Sequence, residues 1–182
     1  DAYIEQYSRT TKLQGKSGAQ AMPAKEIILS SDVTVFDGSS YRKFKDVPAL
    51  SSADSITWSM EVKVAPDCAP GAVLMGNRKT DGRDVLFKIT PSKGVQLFKG
   101  RKHLVKISAT IPKGVWTEVR VVKEGPQFTL FINGEAVGTA RSNQAVPAMP
   151  CYLGGDPVAG EFAKCSIRNA SAGIKQPNSP LF

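Results

Sequence analysis

The chain is poor in the residues that build metal and redox sites. Among its 182 residues there are one histidine, His103, and three cysteines, Cys68, Cys151 and Cys165. The cysteines form no CxxC pair, and a zinc site of ordinary ligand spacing needs four Cys or His ligands close together. The composition therefore argues against zinc.

Long hydrophobic runs are missing as well. The apolar stretches fall far short of the roughly 20 residues that cross a bilayer, so the sequence predicts no membrane span. The hydrophobic share of 41% is that of an ordinary globular protein. A chain of this length fits one core better than two, and one domain is expected.

Acidic residues are scarce relative to basic ones. Sixteen Asp and Glu stand against 24 Lys and Arg, which gives a formal net charge of +8. Such a surface favours sulfated glycans, nucleic acid, anionic lipid or an acidic protein. Nucleic acid is the least favoured, because single-strand binders interleave basic and stacking aromatic residues, and Phe98, directly before the most basic segment, is the only Phe, Tyr or Trp there.

A helical hydrophobic period is also missing, and a period of two replaces it. In SITWSMEVKV, residues 55–64, apolar side chains alternate with polar ones, as on a strand with one buried face. Similar runs follow to about residue 170, separated by turns such as NRKTDGR, KGRK and IPKG. This pattern predicts an all-β antiparallel sandwich over residues 27–172, an irregular lead-in over 1–26 and a tail over 173–182.

Three segments in order resemble one family. They are VTVFDGSSYRKF with SITWSMEVKVAP, then GVWTEVRVVKEGPQFTLFINGEAVGTA, then CYLGGDP with GEFAKCSIRNAS. Over roughly residues 33–172 the chain is similar to the laminin G-like, concanavalin A-like jelly-roll superfamily of lectins and glucanases. The residues agree independently: Asn133-Gly134 suits a type I′ hairpin turn, and Trp116 is interpreted as a core residue at a strand start.

The signature of the superfamily's enzymes is missing. Its glucanases carry two or three carboxylates on alternate strand positions, ExDxE or ExDxxE, at the separation that glycoside hydrolysis needs. Here Asp81 and Asp84 flank a turn, Glu118 stands alone, and His103 has no nucleophile elbow nearby. We expect the chain not to be an enzyme.

The resemblance also suggests a calcium site. Laminin G-like domains often bind it through an Asp that opens a strand, and Asp84 in GRDVLFKIT matches that position. The second expected Asp has no counterpart in ARSNQAVPAMP, whereas calcium takes six to eight oxygen ligands. We therefore expect no cofactor, with a weak calcium site at Asp84 as the alternative to a turn-ending aspartate.

The cysteines leave two alternatives open. Cys151 and Cys165 fall in the last two predicted strands, where a disulfide would close a loop; the alternative is that all three thiols stay reduced. Cys68 lies in a proline-rich turn and is expected to be unpaired. The family resemblance and the triplet Asn169-Ala170-Ser171, which fits a glycosylation sequon, favour an extracellular, secreted protein.

The most basic segment, KGRKHLVK, spans residues 99–106 and is predicted to join two strands through a KGRK turn. By strand alternation, Val105 and Ile107 face inward and Lys106 outward. If the NRKTDGR turn lies at the same end of the sandwich, seven basic side chains form one rim for sulfates or carboxylates: Arg78, Lys79, Arg83, Lys99, Arg101, Lys102 and Lys106. The alternative is a solvated hairpin that protects a sheet edge.

These observations favour a non-catalytic, lectin-like module for recognising carbohydrate or glycoconjugates, with acidic glycans as ligands. The alternative is a structural or protein-interaction domain of a larger assembly that docks an acidic protein partner through its basic surface.

Overall fold

The computed structural model describes residues 25–44, 54–79, 85–146 and 151–174. Within these ranges the regular elements are all strands, and no helix long and apolar enough to cross a membrane occurs there. The strands are β1 (Lys25–Ser30), β2 (Thr34–Asp37), β3 (Arg42–Phe44), β4 (Ser55–Val64), β5 (Met75–Lys79), β6 (Val85–Thr90), β7 (Gly94–Lys99), β8 (Lys102–Ile107), β9 (Trp116–Glu124), β10 (Gln127–Ile132), β11 (Glu135–Arg141), β12 (Cys151–Leu153), β13 (Gly155–Asp156), β14 (Glu161–Phe162) and β15 (Lys164–Ile174).

Two antiparallel sheets form the sandwich. The seven-stranded sheet runs β1-β15-β4-β9-β10-β11, with β2 also paired to β15, and the six-stranded sheet runs β3-β12-β5-β6-β7-β8. The short pair β13 and β14 makes a third, two-stranded sheet. The predicted all-β antiparallel jelly-roll sandwich is confirmed.

The core lies between the two large sheets and follows the alternation in the sequence. Along β4 the side chains of Trp58, Met60 and Val62 are buried, as the period of two predicts. Trp58 stacks on Phe87 of the opposite sheet with ring centroids 4.2 Å apart, and its Nε1 donates a hydrogen bond to Asn77 Oδ1 at 3.2 Å. Large side chains buried in this way each contribute about 1.5–3 kcal/mol and clamp the sheets together.

The turn between β10 and β11 has the predicted geometry. Asn133 and Gly134 both have positive φ, 51° and 83°, as a type I′ turn requires. The Asn133 side chain also accepts a hydrogen bond through Oδ1 from the Glu118 backbone N–H at 2.9 Å. The dipeptide thereby ties the hairpin to β9.

Trp116 is not the core residue that the sequence predicts. It is partly exposed on the outer face of the seven-stranded sheet, where the Arg168 guanidinium lies 4.0 Å from the centre of its ring. The reason is strand alternation: Thr117, Val119 and Val121 are buried, so even-numbered positions of β9 point outward. The correct side could have been found by extending that alternation back by one residue.

Candidate functional site

The basic hairpin, residues 99–106, joins β7 to β8 at one edge of the six-stranded sheet. Lys99, Arg101, Lys102 and Lys106 are all exposed, whereas Val105 and Ile107 are buried, so the predicted outward orientation of Lys106 is confirmed. The register of the two strands shifts between Leu97 and Phe98, and such a bulge increases the local twist. None of the four cations forms an ion pair with a residue that the structure describes.

Arg78 does not join this cluster, contrary to the sequence-based expectation. It is 6% exposed, and its Nε and Nη2 donate hydrogen bonds to Asp156 Oδ2 at 3.1 and 2.5 Å. Asp156 in turn accepts the Val158 backbone N–H through Oδ1 at 3.0 Å. Asn77 turns toward Trp58 in the core, so Arg78 points to the outer face, where the β13–β14 segment covers it. Its role is to anchor that segment.

The remaining predicted residues of the rim lie partly or wholly outside the described part of the chain. Lys79 ends β5 opposite Val85, but its side chain is not described, and the same holds for residues 80–84, which include Arg83 and Asp84. Within the described ranges no group of three His, Cys, Asp or Glu side chains lies together. Calcium at Asp84 stays a prediction.

Next to the basic hairpin, the outer face of the six-stranded sheet carries a row of polar residues across three strands. Lys88 of β6 pairs in register with Gln96 of β7, and Gln96 pairs with Lys106 of β8. Lys88 Nζ lies 3.3 Å from Glu161 Oε1, which is an ion pair. We call Lys88, Gln96 and Lys106 the Gln96 row.

Two rings flank this row. Phe98 and His103 lie against each other with centroids 4.2 Å apart at 47°, and Lys88 Nζ lies 5.4 Å from the Phe98 centroid. Gln96 Nε2 is 3.5 Å from His103 Nε2. The sequence analysis missed Gln96 and Lys88, although alternation along β6 and β7, combined with hairpin register, would have placed both on this face.

A depression lies on the outer face of the seven-stranded sheet. It has a volume of about 230 Å³ and is lined by Val122, Glu124, Gln127, Thr129 and Arg141. Arg141 Nη1 donates to Gln127 Oε1 at 3.4 Å, so part of its polar lining is already paired. Nothing in the sequence pattern singled out this group.

Of the two alternatives for the cysteines, the structure has the reduced thiol at Cys165 and no disulfide to Cys151. Cys165 is a free, buried thiol in β15 of the seven-stranded sheet, opposite Val64, whereas Cys151 begins β12 in the six-stranded sheet. Cys68 is also free, as predicted, and buried. Burial, with a smaller effect from Cys68, raises the pKa of the Cys165 thiol to about 12, which makes it a poor nucleophile.

Four of the described carboxylates are held by cations of the chain itself. Asp156 binds Arg78, Glu161 binds Lys88, Asp67 binds Lys164, and Glu61 accepts two hydrogen bonds from Arg168. The pKa of Glu61 is lowered, first by a hydrogen bond from Asn169; burial opposes this, and the contacts with Arg168 lower it further. This arrangement suits structural ion pairing rather than proton transfer.

Comparison with solved structures supports the architecture. The chain is similar to domain 4 of AbnA, an extracellular arabinanase of Geobacillus stearothermophilus solved with arabinotriose, at 17% identity and a TM-score of 0.62, covering 87% of this chain and 85% of that one. It is similar to domains LG4-5 of the mouse laminin alpha1 chain, at 19% identity and a TM-score of 0.58, covering 80% of this chain and 42% of that one.

Enzymes contain this fold too. The Trypanosoma rangeli sialidase matches at 11% identity and a TM-score of 0.56, covering 86% of this chain and 28% of the sialidase. At these identities the likeness shows the fold alone. No curated protein matches the chain. A family model of the laminin G type matches residues 36–171, and the chain therefore belongs to the concanavalin A-like lectin/glucanase superfamily.

Proposed function

We propose that this protein is a non-catalytic module that recognises acidic glycans through the basic hairpin. The observation that carries the proposal is the exposure of Lys99, Arg101, Lys102 and Lys106 on one hairpin, with no ion pair to any described residue. Exposed ammonium and guanidinium groups that are not paired within the chain can bind sulfate or carboxylate. Lys79 and Arg83 belong to the proposed set by their sequence position.

The energetics favour a polymeric ligand. A single exposed ion pair contributes only about 0–1 kcal/mol, so one sugar acid would bind the hairpin weakly. A glycan with repeated negative charges contacts several cations at once, and the linked contacts add up. β7 and β8 are paired from Val95 opposite Ile107 to Lys99 opposite Lys102. This pairing fixes the backbone positions of the cations relative to one another.

The fold is compatible with a glycan ligand. The arabinanase domain of similar structure was solved with arabinotriose, a neutral oligosaccharide, which is a property of that protein. Acidic polysaccharides are abundant outside cells, so we place this module in an extracellular setting, in line with the extracellular arabinanase.

Chromatography on immobilised heparin tests the proposal. We expect the wild-type protein to elute at high salt and the triple variant Lys99→Ala/Arg101→Ala/Lys102→Ala to elute much earlier, because exposed charge contacts are screened by salt. The matched control is Lys43→Ala/Lys63→Ala/Lys93→Ala, which removes the same charge from exposed positions on other strands and turns.

Equal shifts for the two triple variants would mean that net charge, not the hairpin, causes retention. A glycan array then separates the two functional candidates. Binding to acidic but not neutral sugars supports glycan recognition, whereas silence on the array, with hairpin-dependent heparin retention, would favour docking to an acidic protein partner.

A further inference from the structure

The Gln96 row contains an acceptor that the described part of the chain leaves unused. Gln96 is 4% exposed, and with its amide turned so that Nε2 lies 3.5 Å from His103 Nε2, its buried Oε1 has no hydrogen-bond partner among the described residues. Val95 and Leu97 point into the core, so the Gln96 side chain belongs to the outer face of the six-stranded sheet. Buried polar atoms are nearly always paired, so this atom calls for a donor from outside the described chain, which a water molecule or a ligand hydroxyl can supply.

The flanking residues specify what kind of donor fits. Strands in a sheet lie about 4.8 Å apart, so the backbones of Lys88 and Lys106 bracket Gln96 at about 10 Å from each other. Phe98 and His103, with centroids 4.2 Å apart, add an aromatic surface beside the row. An apolar ring surface next to an amide acceptor and cations matches a sugar ring that carries hydroxyls and an acid group.

The two ends of the row differ in charge. Lys88 is neutralised by Glu161 at 3.3 Å, whereas Lys106 is exposed and forms no ion pair with any described residue. An acid group would therefore lie at the Lys106 end, near the basic hairpin. The hydroxyl groups would lie toward Gln96 and Glu161, which both accept hydrogen bonds.

We propose that the Gln96 row, with Phe98 and His103, is the subsite for one acidic pyranose of the glycan. A sugar hydroxyl donates to Gln96 Oε1, which requires the side chains over Gln96 to move aside because Oε1 itself is buried. The carboxylate or sulfate of that sugar binds Lys106. This inference rests on the proposed function and deepens it, because it names the sugar class and adds residues that bind by hydrogen bonding instead of by charge.

Calorimetry with defined tetrasaccharides tests the subsite. The probes are an oligouronate, which carries carboxylates, a heparin tetrasaccharide, which also carries sulfates, and neutral cellotetraose. We expect both acidic probes to bind and the neutral one not to. A difference in affinity between the acidic probes that the Lys106→Met variant abolishes identifies the anion that Lys106 prefers.

Two variants separate hydrogen bonding from charge. Gln96→Met keeps the size of the side chain and removes the acceptor, so we expect binding about five- to tenfold weaker with unchanged salt dependence. Lys106→Met should weaken binding and also reduce its salt dependence. The control is Gln144→Met, in the loop after β11, with no expected change. Circular dichroism checks that each variant is folded.

A spectroscopic measurement tests contact at Gln96 independently of the affinity. In a spectrum of side-chain amides labelled with 15N, the oligouronate should shift the Gln96 resonance and leave Gln144 in place. If the wild type binds no acidic probe, the proposed function fails. If the wild type binds and the hairpin variant does not, the proposed function stands. If, in addition, Gln96→Met binds like wild type and the Gln96 resonance does not shift, the subsite is overturned. The acceptor of Gln96 would then bind only a trapped water molecule.

Discussion

Arginines on the outer face of the seven-stranded sheet contact partners within the chain, whereas the cations of the basic hairpin on the six-stranded sheet form no ion pair with a described residue. On the seven-stranded sheet, Arg168 is held by Glu61 and stacks on Trp116, and Arg120 lies 5.2 Å from the centre of the Phe131 ring. On the six-stranded sheet, the cations of the basic hairpin are exposed and unpaired among the described residues. A net charge of +8 therefore says less about binding than the location of the cations that the protein has not already neutralised.

Two cations on the six-stranded sheet are exceptions. Lys88 is paired with Glu161, and Arg78 is both paired and buried. Its contacts with Asp156 connect β5 to the β13–β14 segment, 78 residues apart in the chain. If paired cations stabilise the fold and the hairpin cations do not, removing Arg78 should lower the free energy of unfolding and removing a hairpin lysine should leave it unchanged.

The largest expected effect is that of Arg78→Met. Loss of the guanidinium leaves the Asp156 carboxylate, 2% exposed, buried without its partner, and breaking a buried pair on one side costs about 3–5 kcal/mol. Urea denaturation measures the free energy of unfolding. Lys106→Met is the control on the same sheet and should leave that free energy unchanged, since surface substitutions usually shift it by less than about 0.5 kcal/mol.

An equal, small change in the free energy of unfolding for Arg78→Met and Lys106→Met would contradict the distinction between paired and unpaired cations. A double variant, Arg78→Met with Asp156→Leu, refines it, because replacing a buried ion pair with apolar groups is often neutral or stabilising. We expect this double variant to recover part of the stability that the single substitution loses.

Alternation explains which parts of the fold were predictable. The run SITWSMEVKV became β4, and Asn133-Gly134 became a type I′ turn, because a period of two and positive φ are local properties. The pairing of β4 with both β9 and β15 involves residues far apart in sequence, and local patterns do not encode it. The state of Cys151 and Cys165 stayed open for the same reason, since sequence separation does not give the distance between two cysteines in the fold.

In the candidate site too, local features were predictable and long-range contacts were not. The orientation of Lys106 followed from alternation within one hairpin. Arg78 was misassigned because Asp156, the residue that buries it, belongs to a distant segment. Gln96 was overlooked because a neutral amide on a strand attracts no notice until cross-strand register sets Lys88 and Lys106 beside it.

A medium effect is expected for Glu61→Gln on the seven-stranded sheet. The folded state lowers the pKa of Glu61 from its ordinary value of 4.5, first through the hydrogen bond from Asn169. The ionised carboxylate therefore stabilises the fold above pH 4.5, and this contribution is lost as the pH falls below 4.5 through the folded-state value. The pair is partly exposed, so we expect a loss of about 1 kcal/mol at neutral pH.

The pH dependence supplies the control for that prediction. Unfolding free energies of wild type and Glu61→Gln, measured from pH 7 to pH 3, should differ most at neutral pH and converge in acid. A difference that stays constant across this range would mean that the substitution acts through packing and not through the charge of Glu61.

The smallest effect belongs to the exposed pair on the seven-stranded sheet. Lys164 Nζ lies 2.7 Å from Asp67 Oδ2, and the two side chains are 48% and 66% exposed. Water and salt screen such a pair, so Lys164→Met should leave the unfolding midpoint in urea unchanged within error, at low salt and at high salt. A clear loss at low salt that disappears at high salt would show that exposed pairs also hold this face together. Pairing of cations on the seven-stranded sheet would then contribute to its stability, whereas the cations of the basic hairpin, which form no ion pair with a described residue, would still be available to a ligand.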